Sequence, residues 1–159
     1  MGAPVEIIVR PILAADRDDV AEILVTSGGF SDEEVHAGLM VFDEAAAGEY
    51  NAFGLEGDGH LRAYACVAPI SLTVSTWHLY WIAVHGACQG QGFGRIVLRH
   101  AEEFIRGAGG ERIALETSGR MAYGRARHFY EAAGYCVVGR IRNFYKSGDD
   151  CVMYCKELA

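Results

Sequence analysis

Tyr80-Trp81-Ile82-Ala83-Val84-His85-Gly86-Ala87-Cys88-Gln89-Gly90-Gln91-Gly92-Phe93-Gly94 is the stretch on which the fold turns. Its first five residues are aromatic, apolar or β-branched and end a strand that reads from Thr76 to Val84. Its second half is the densest glycine cluster of the chain. Beyond it Val97, Ala101, Phe104, Ile105 and Ala108 recur at helical spacing, with Arg99–Glu103 and Glu102–Arg106 as charge pairs on the wet side. A strand, a glycine loop and a helix in that order form a cradle for phosphate: successive backbone N–H groups point at the anion and the helix start adds positive partial charge. Two common phosphate loops are excluded by spacing. G-x-G-x-x-G fails because its last position is Arg95 or Val97, and G-x-x-x-x-G-K-[ST] fails because Gly86 is followed five residues on by Gln91 and Gly90 by Arg95. What remains is Q-x-x-G-x-G.

Reading forward, Gly107, Gly109 and Gly110 end the helix, Arg112 to Thr117 is a strand, and Ala122 to Ala133 is a helix closed by Gly134. Tyr135 to Phe144 and Cys151 to Glu157 form a hairpin across Lys146–Asp150. Reading backward, Ala52 to Glu56 and His60 to Ala68 flank Gly57-Asp58-Gly59, a hairpin signal. Ser31 with Glu34 is a capping box opening a helix from Asp32 to Ala47, and Asp16 caps an earlier helix running to Thr26. Val5 to Val9 is a first strand stopped by Pro11. The order β-α-α-β-β-β-α-β-α-β-β, without repeat or linker, predicts a single mixed α/β domain over residues 1–159.

Composition agrees. The 159 residues are 51% hydrophobic and 22% charged, enough for a core. The 20 glycines are about twice the usual share of roughly 7%, and four of them, Gly86, Gly90, Gly92 and Gly94, fall in the loop. A net charge of −7 and the lack of a basic tract argue against nucleic acid as partner. The five cysteines contain no C-x-x-C pair and are odd in number, which argues against a disulfide framework or a zinc site, and they read as reduced core thiols of a cytosolic protein. No histidine spacing suggests a metal pair, so no metal is expected. Ala63 to Gly94 lacks Asp, Glu, Lys and Arg but is broken by Pro69, polar residues and glycines, so it reads as two buried strands and not a membrane span. Met1 to Arg10 has no signal-like pattern, and a cytoplasmic protein is expected.

With these residues in hand, the sequence resembles the GNAT superfamily of N-acetyltransferases. Tyr80 to Val84 is similar to that family's fourth strand, Gln89 to Gly94 matches its Q/R-x-x-G-x-G/A pyrophosphate loop, and Ala126-x-x-x-Tyr130-x-x-x-Gly134-Tyr135 matches a later motif. The resemblance implies a mostly antiparallel sheet of about seven strands flanked by four helices and splayed between strands four and five. It implies acetyl-CoA as cosubstrate, held by Gln89, Gly90, Gln91, Gly92, Phe93, Gly94 and Arg95, with Ala83 and Val84 N–H groups on the carbonyl and pantetheine. Tyr123 stands where relatives often place a cofactor-contacting Asn, and Tyr130 stands where a tyrosine often serves as general acid.

Acetyl transfer to an amine needs a base for the amine, donors for the developing oxyanion and a proton for the leaving thiolate. Glu116 is the candidate base, sharing a strand face with Ala114 and Ser118; His78 and His85 are rivals because imidazole titrates near neutrality. The resemblance implies an acceptor site walled by the two early helices and the final hairpin, which brings Phe30, Met40, Phe42, Asp43, Tyr80, Phe144, Tyr145, Asp149 and Asp150 into consideration. Aromatics with carboxylates suit a cationic amine, while core packing and turn formation are the alternative for the same residues. Two functional readings stand: an N-acetyltransferase in which a small-molecule or peptide amine attacks acetyl-CoA directly, or a non-catalytic acyl-CoA-binding module. A homodimer is open in either.

Overall fold

The computed structural model describes residues 4–158. Met1–Ala3, the start of the segment read for a signal, and the last residue of the expected 1–159 domain lie outside the described residues. The elements in chain order are β1 (Ile7–Pro11), α1 (Arg17–Thr26), α2 (Asp32–Ala46), β2 (Asn51–Gly57), β3 (His60–Pro69), β4 (Thr76–Val84), α3 (Phe93–Gly107), β5 (Arg112–Ser118), α4 (Gly124–Ala132), β6 (Cys136–Lys146) and β7 (Asp149–Glu157). Among the described residues the seven strands follow the order β1-β2-β3-β4-β5-β7-β6. The pairs β1–β2, β2–β3, β5–β7 and β6–β7 are antiparallel and β4–β5 is parallel, giving the mixed sheet with four helices that the sequence predicts. The parallel ladder consists of Thr76–Arg112, Trp77–Ile113 and His78–Ala114. The chain forms two compact units: one runs up to Ala68 and includes Leu79–Phe104, the other comprises Pro69–His78 and the chain from Ile105 onward.

In the first unit α1 and α2 cover one sheet face. Val20, Ile23, Leu24, Phe42, Leu61, Tyr64 and Cys66 form its core, each at 1% exposure or less, which is the burial that stabilises by about 25 cal/mol per Å² of apolar surface. Ala52 joins that core, so its neighbour Phe53 points the other way, and its ring lies 5.0 Å from Phe104 and 4.8 Å from His100 of α3. The α2 capping box forms as expected: the Glu34 N–H donates to Ser31 Oγ and the Glu34 carboxylate accepts from the Ser31 N–H. Gly38 lets α2 approach β4, since a Cβ there would stand 2.9 Å from the Trp81 ring. The β2–β3 turn is Asp58-Gly59, both at positive φ (55° and 77°), as a two-residue hairpin turn of type I′ requires. One expectation is corrected. Asp16 does not cap α1; its carboxylate accepts from Arg10 at 2.9 Å and from the Leu13 N–H at 2.7 Å. Burial opposes ionisation there, but these donors hold the Asp16 carboxyl below its usual range.

In the second unit β7 lies between β5 and β6, antiparallel to both, and α4 packs on it, with the rings of Tyr135 and Tyr154 6.1 and 5.9 Å from Tyr130. The expected helix from Ala122 is shorter because Met121–Tyr123 is a 3-10 turn. The final hairpin is longer than its apolar pattern. A register shift between Ile141 and Lys146 puts Asn143 at φ 55°, its N–H donating to Asp150 Oδ1 and its side-chain oxygen accepting from the Gly148 N–H. Pairing resumes at Lys146–Asp149, so the turn narrows to Ser147-Gly148. A bulge of this kind breaks alternation, which is why the pattern fades there.

Candidate active site

The glycine loop belongs to the first unit. At the end of β4 Ala83 is buried and Val84 half-buried, and the strand is fixed there by the His85 N–H donating to the Arg62 carbonyl. His85 is buried and uses both ring nitrogens: Nδ1 accepts from the Ala87 N–H at 3.0 Å, which places the proton on Nε2 facing Glu22 at 3.0 Å. It is an anchor between loop and α1, not a base with a free lone pair. Gly86 packs against Thr26, whose carbonyl oxygen would lie 2.1 Å from any Cβ, and its N–H donates to Thr26 Oγ1. Gln89 is also an anchor, its amide donating to the Ser27 and Val84 carbonyls at 2.8 and 3.4 Å.

Past these anchors the loop is bare. Gly90 and Gly92 take φ of 79° and 82°, and no atom lies within 4 Å of a Cβ built on either. Their glycine identity is therefore set by backbone conformation, and the space beside them is open. Gly92 closes the first α3 bond by accepting from the Ile96 N–H at 3.1 Å, so the amides of Phe93 and Gly94 belong to the first turn, which a helix cannot satisfy internally. Arg95 is exposed and Gln91 reaches back to the Ala87 carbonyl. A loop with two left-handed glycines, open space and a helix start fits a pyrophosphate, and its residues suit coenzyme A in that respect.

The aromatic candidates of the first unit separate. Phe42 is 1% exposed and serves the core, so it offers no surface to a ligand. Phe30 packs on Trp81 at 5.2 Å, and Tyr80, 36% exposed, lies 4.6 Å from Tyr50. The ring contacts of Trp81 and Tyr50 are not legible in the sequence, because they depend on how the residues around α2 and the turn after it meet β4, which periodicity does not set.

The second unit holds the ionisable groups. Glu116 stands exposed on β5 between buried Leu115 and Thr117, as alternation predicts. Its Oε2 lies 2.6 Å from His78 Nε2, so two residues that compete as bases in the sequence form one pair. The hydrogen bond from His78 holds the Glu116 carboxyl below its usual range, burial opposing it. Tyr145 comes to the same face, its hydroxyl donating to Cys151 Sγ, and burial pushes its phenol above the ordinary range, with Glu116 and Asp149 adding to the rise. Behind them buried Asp149 accepts from Ser118 and pairs with Arg120 at 3.1 Å, a network the sequence showed only as a turn. Arg120 also lies over the Tyr123 ring at 5.4 Å.

Tyr130 lies elsewhere. It packs on Tyr154, whose side chain projects from the β7 face opposite Cys151, so Tyr130 and Glu116 occupy opposite faces of the β5–β7 pair. Burial raises its phenol above the usual range, favouring the neutral, proton-bearing form. Among the described residues no group of three or more His, Cys, Asp or Glu could hold a metal, and no helix is long and apolar enough to cross a membrane.

The strand order, the parallel β4–β5 pair and a strand–glycine loop–helix segment are the features by which the chain is compared with known proteins. The acetyltransferase (GNAT) family matches residues 17–135, and the chain belongs to that family. A structure from Desulfovibrio desulfuricans assigned to the GNAT family is 32% identical, with 97% of this chain and 100% of that one covered at a TM-score of 0.91. The ribosomal-protein-S18-alanine N-acetyltransferase of Escherichia coli is 21% identical, covering 97% of this chain and 95% of that one at 0.78. A Salmonella typhimurium protein solved with its cofactor acetyl-CoA is 17% identical, covering 96% and 94% at 0.73. These last two share the fold. No curated protein sequence matches.

Proposed function

We propose that this protein, acting as one domain over residues 1–159 in the cytoplasm, transfers the acetyl group of acetyl-CoA to a primary amine of a small molecule or peptide by direct attack in a ternary complex. The observation that carries the reading is the open loop at Gly90 and Gly92 ahead of α3, joined to family membership. Gln89, through its bonds to Ser27 and Val84, holds that loop in shape, and the amides from Gly90 to Arg95 receive the pyrophosphate. The N–H groups of Ala83 and Val84 bind the pantetheine and the carbonyl oxygen. Acetyl-CoA supplies an activated acyl group as a thioester.

Glu116 accepts a proton from the incoming ammonium, and His78 keeps that carboxylate ionised and oriented. Tyr130, kept neutral by burial, donates its hydroxyl proton to the departing thiolate. Tyr80 and Phe30, with Tyr145 beside Glu116, offer aromatic surfaces for a cationic acceptor. Tyr123, its ring held under Arg120, is the remaining cofactor contact of the reading.

The test is release of free CoA thiol from acetyl-CoA across polyamines, amino acids, aminoglycosides and peptide N-termini. Amine-dependent release supports the enzyme; tight acetyl-CoA binding with no release for any amine supports the binding module instead. Tyr130→Phe is expected to lower turnover about 100-fold, within the range for removing a general acid, with acetyl-CoA affinity unchanged by calorimetry. Equal turnover sinks its assignment.

A further inference from the structure

We propose that Cys136 and Cys155 form a reversible intramolecular disulfide, making the start of β6 a redox modification site. The two residues are direct register partners in the antiparallel β6–β7 ladder. Residues opposite one another in such a ladder have Cα atoms about 4.5–5.5 Å apart and side chains on the same face. That separation falls inside the 4.4–6.8 Å range a disulfide spans. Among the ladders described, no other cysteine stands opposite a cysteine.

Their surroundings divide the labour. Cys136 is exposed on the terminal strand of the sheet. Its backbone is nonetheless fixed, because the preceding Tyr135 is buried, donates its N–H to the Tyr130 carbonyl and lies 5.5 Å under Lys156 Nζ. Cys155 is half-buried, with burial and Glu157 raising its thiol and Arg112 opposing them. Cys136 is thus the thiol an external oxidant meets first, and Cys155 is the resolving thiol one strand away. The remaining cysteines lack this arrangement: Cys66 and Cys151 are buried, and Cys88 lies in the other compact unit.

The oxidant class is a low-molecular-weight disulfide such as oxidised glutathione. The Cys136 thiolate attacks one glutathione sulfur, the glutathione S–S bond breaks and one glutathione thiolate leaves. The Cys155 thiolate then attacks Cys136 Sγ, forming the protein S–S bond and expelling the second glutathione. Two protein thiols are oxidised, one glutathione disulfide is reduced, and the two thiol protons end on the released glutathione molecules.

The full chain is incubated with oxidised glutathione under native conditions, quenched with acid, alkylated, and read by intact mass and peptide mapping. The expected result is loss of two hydrogens, a fall from five alkylatable thiols to three, and a Cys136–Cys155 cross-link that dithiothreitol reverses. Cys155→Ser is expected to stop at a stable glutathione adduct on Cys136, and Cys136→Ser to keep all its thiols. A glutathione adduct that persists on Cys136 in the unmutated chain, a cross-link between two chains through Cys136, or five unchanged thiols would each overturn the proposal. No acetyl acceptor enters the measurement, so the outcome is independent of the catalytic reading.

Discussion

The loop after β4 and the exposed face of β5 differ in the material from which each is built. The loop works with backbone: its side chains either tie it down, as Gln89 and His85 do, or are absent, as at Gly90 and Gly92. The β5 face works with side chains, and its working pair joins residues 38 apart in sequence. A backbone site is specified by spacing and by glycine, and a side-chain site by register between strands. The first kind tolerates neighbouring substitutions that spare φ, while the second depends on a few atoms.

The largest effect is therefore expected on β5. Glu116→Gln keeps the shape and the capacity to meet His78 but removes the proton acceptor. Turnover should fall by about 100- to 1,000-fold, within the range of general-base catalysis, and acetyl-CoA affinity should stay as it was. Steady-state kinetics with calorimetry on the same preparation measures both. If affinity falls and turnover at saturation does not, the division between backbone and side-chain sites is wrong.

Gly92→Val probes the other side of the comparison. The space around Gly92 is open, so bulk alone is harmless, but φ of 82° is a conformation that a β-branched residue resists. A strain of about 1–2 kcal/mol against roughly 1.4 kcal/mol per tenfold predicts acetyl-CoA binding about tenfold weaker. Turnover at saturating acetyl-CoA should be nearly retained. Unchanged affinity would show that the loop does not hold the cosubstrate through its backbone.

The same contrast explains which features are legible in the sequence alone. Tyr80 to Gly94 was legible because strand, turn and helix signals are local, and Q-x-x-G-x-G needs no partner from elsewhere in the chain. The α2 capping box and the Asp58-Gly59 turn were legible for the same reason. Asp16 misled because a carboxylate at a helix start has the cap signature whether or not an arginine claims it, and Arg10 does. His78 and Glu116 were each visible as candidates, yet their pairing depends on the parallel register Thr76–Arg112 to His78–Ala114, which only the assembled strands set. Tyr145 reaches Cys151 next to a bulge whose residues, Arg142 to Tyr145, carry no alternation to read. Phe42 shows the reverse limit: an aromatic on an early helix suits a pocket or a core equally in sequence, and packing chose the core.

The smallest expected effect sharpens the comparison most, because it tests whether His78 acts through Glu116. Glu116 must be ionised to accept a proton, and the hydrogen bond from His78 holds its carboxyl below the usual range. In His78→Ala that support is lost, so the Glu116 carboxyl rises toward its ordinary value and the acid limb of the turnover profile should move to higher pH. Tyr145, which faces the same carboxylate, stays neutral across this range because burial raises its phenol. The sign carries over to stability: a depressed carboxyl stabilises the fold above its unfolded value and loses that contribution as pH falls through the folded one. The difference in melting temperature between the unmutated chain and His78→Ala should accordingly shrink on acidification below the carboxylate range. A merely structural His78 would leave the acid limb where it was, and His78→Gln, which keeps a donor near Glu116, should restore part of the shift.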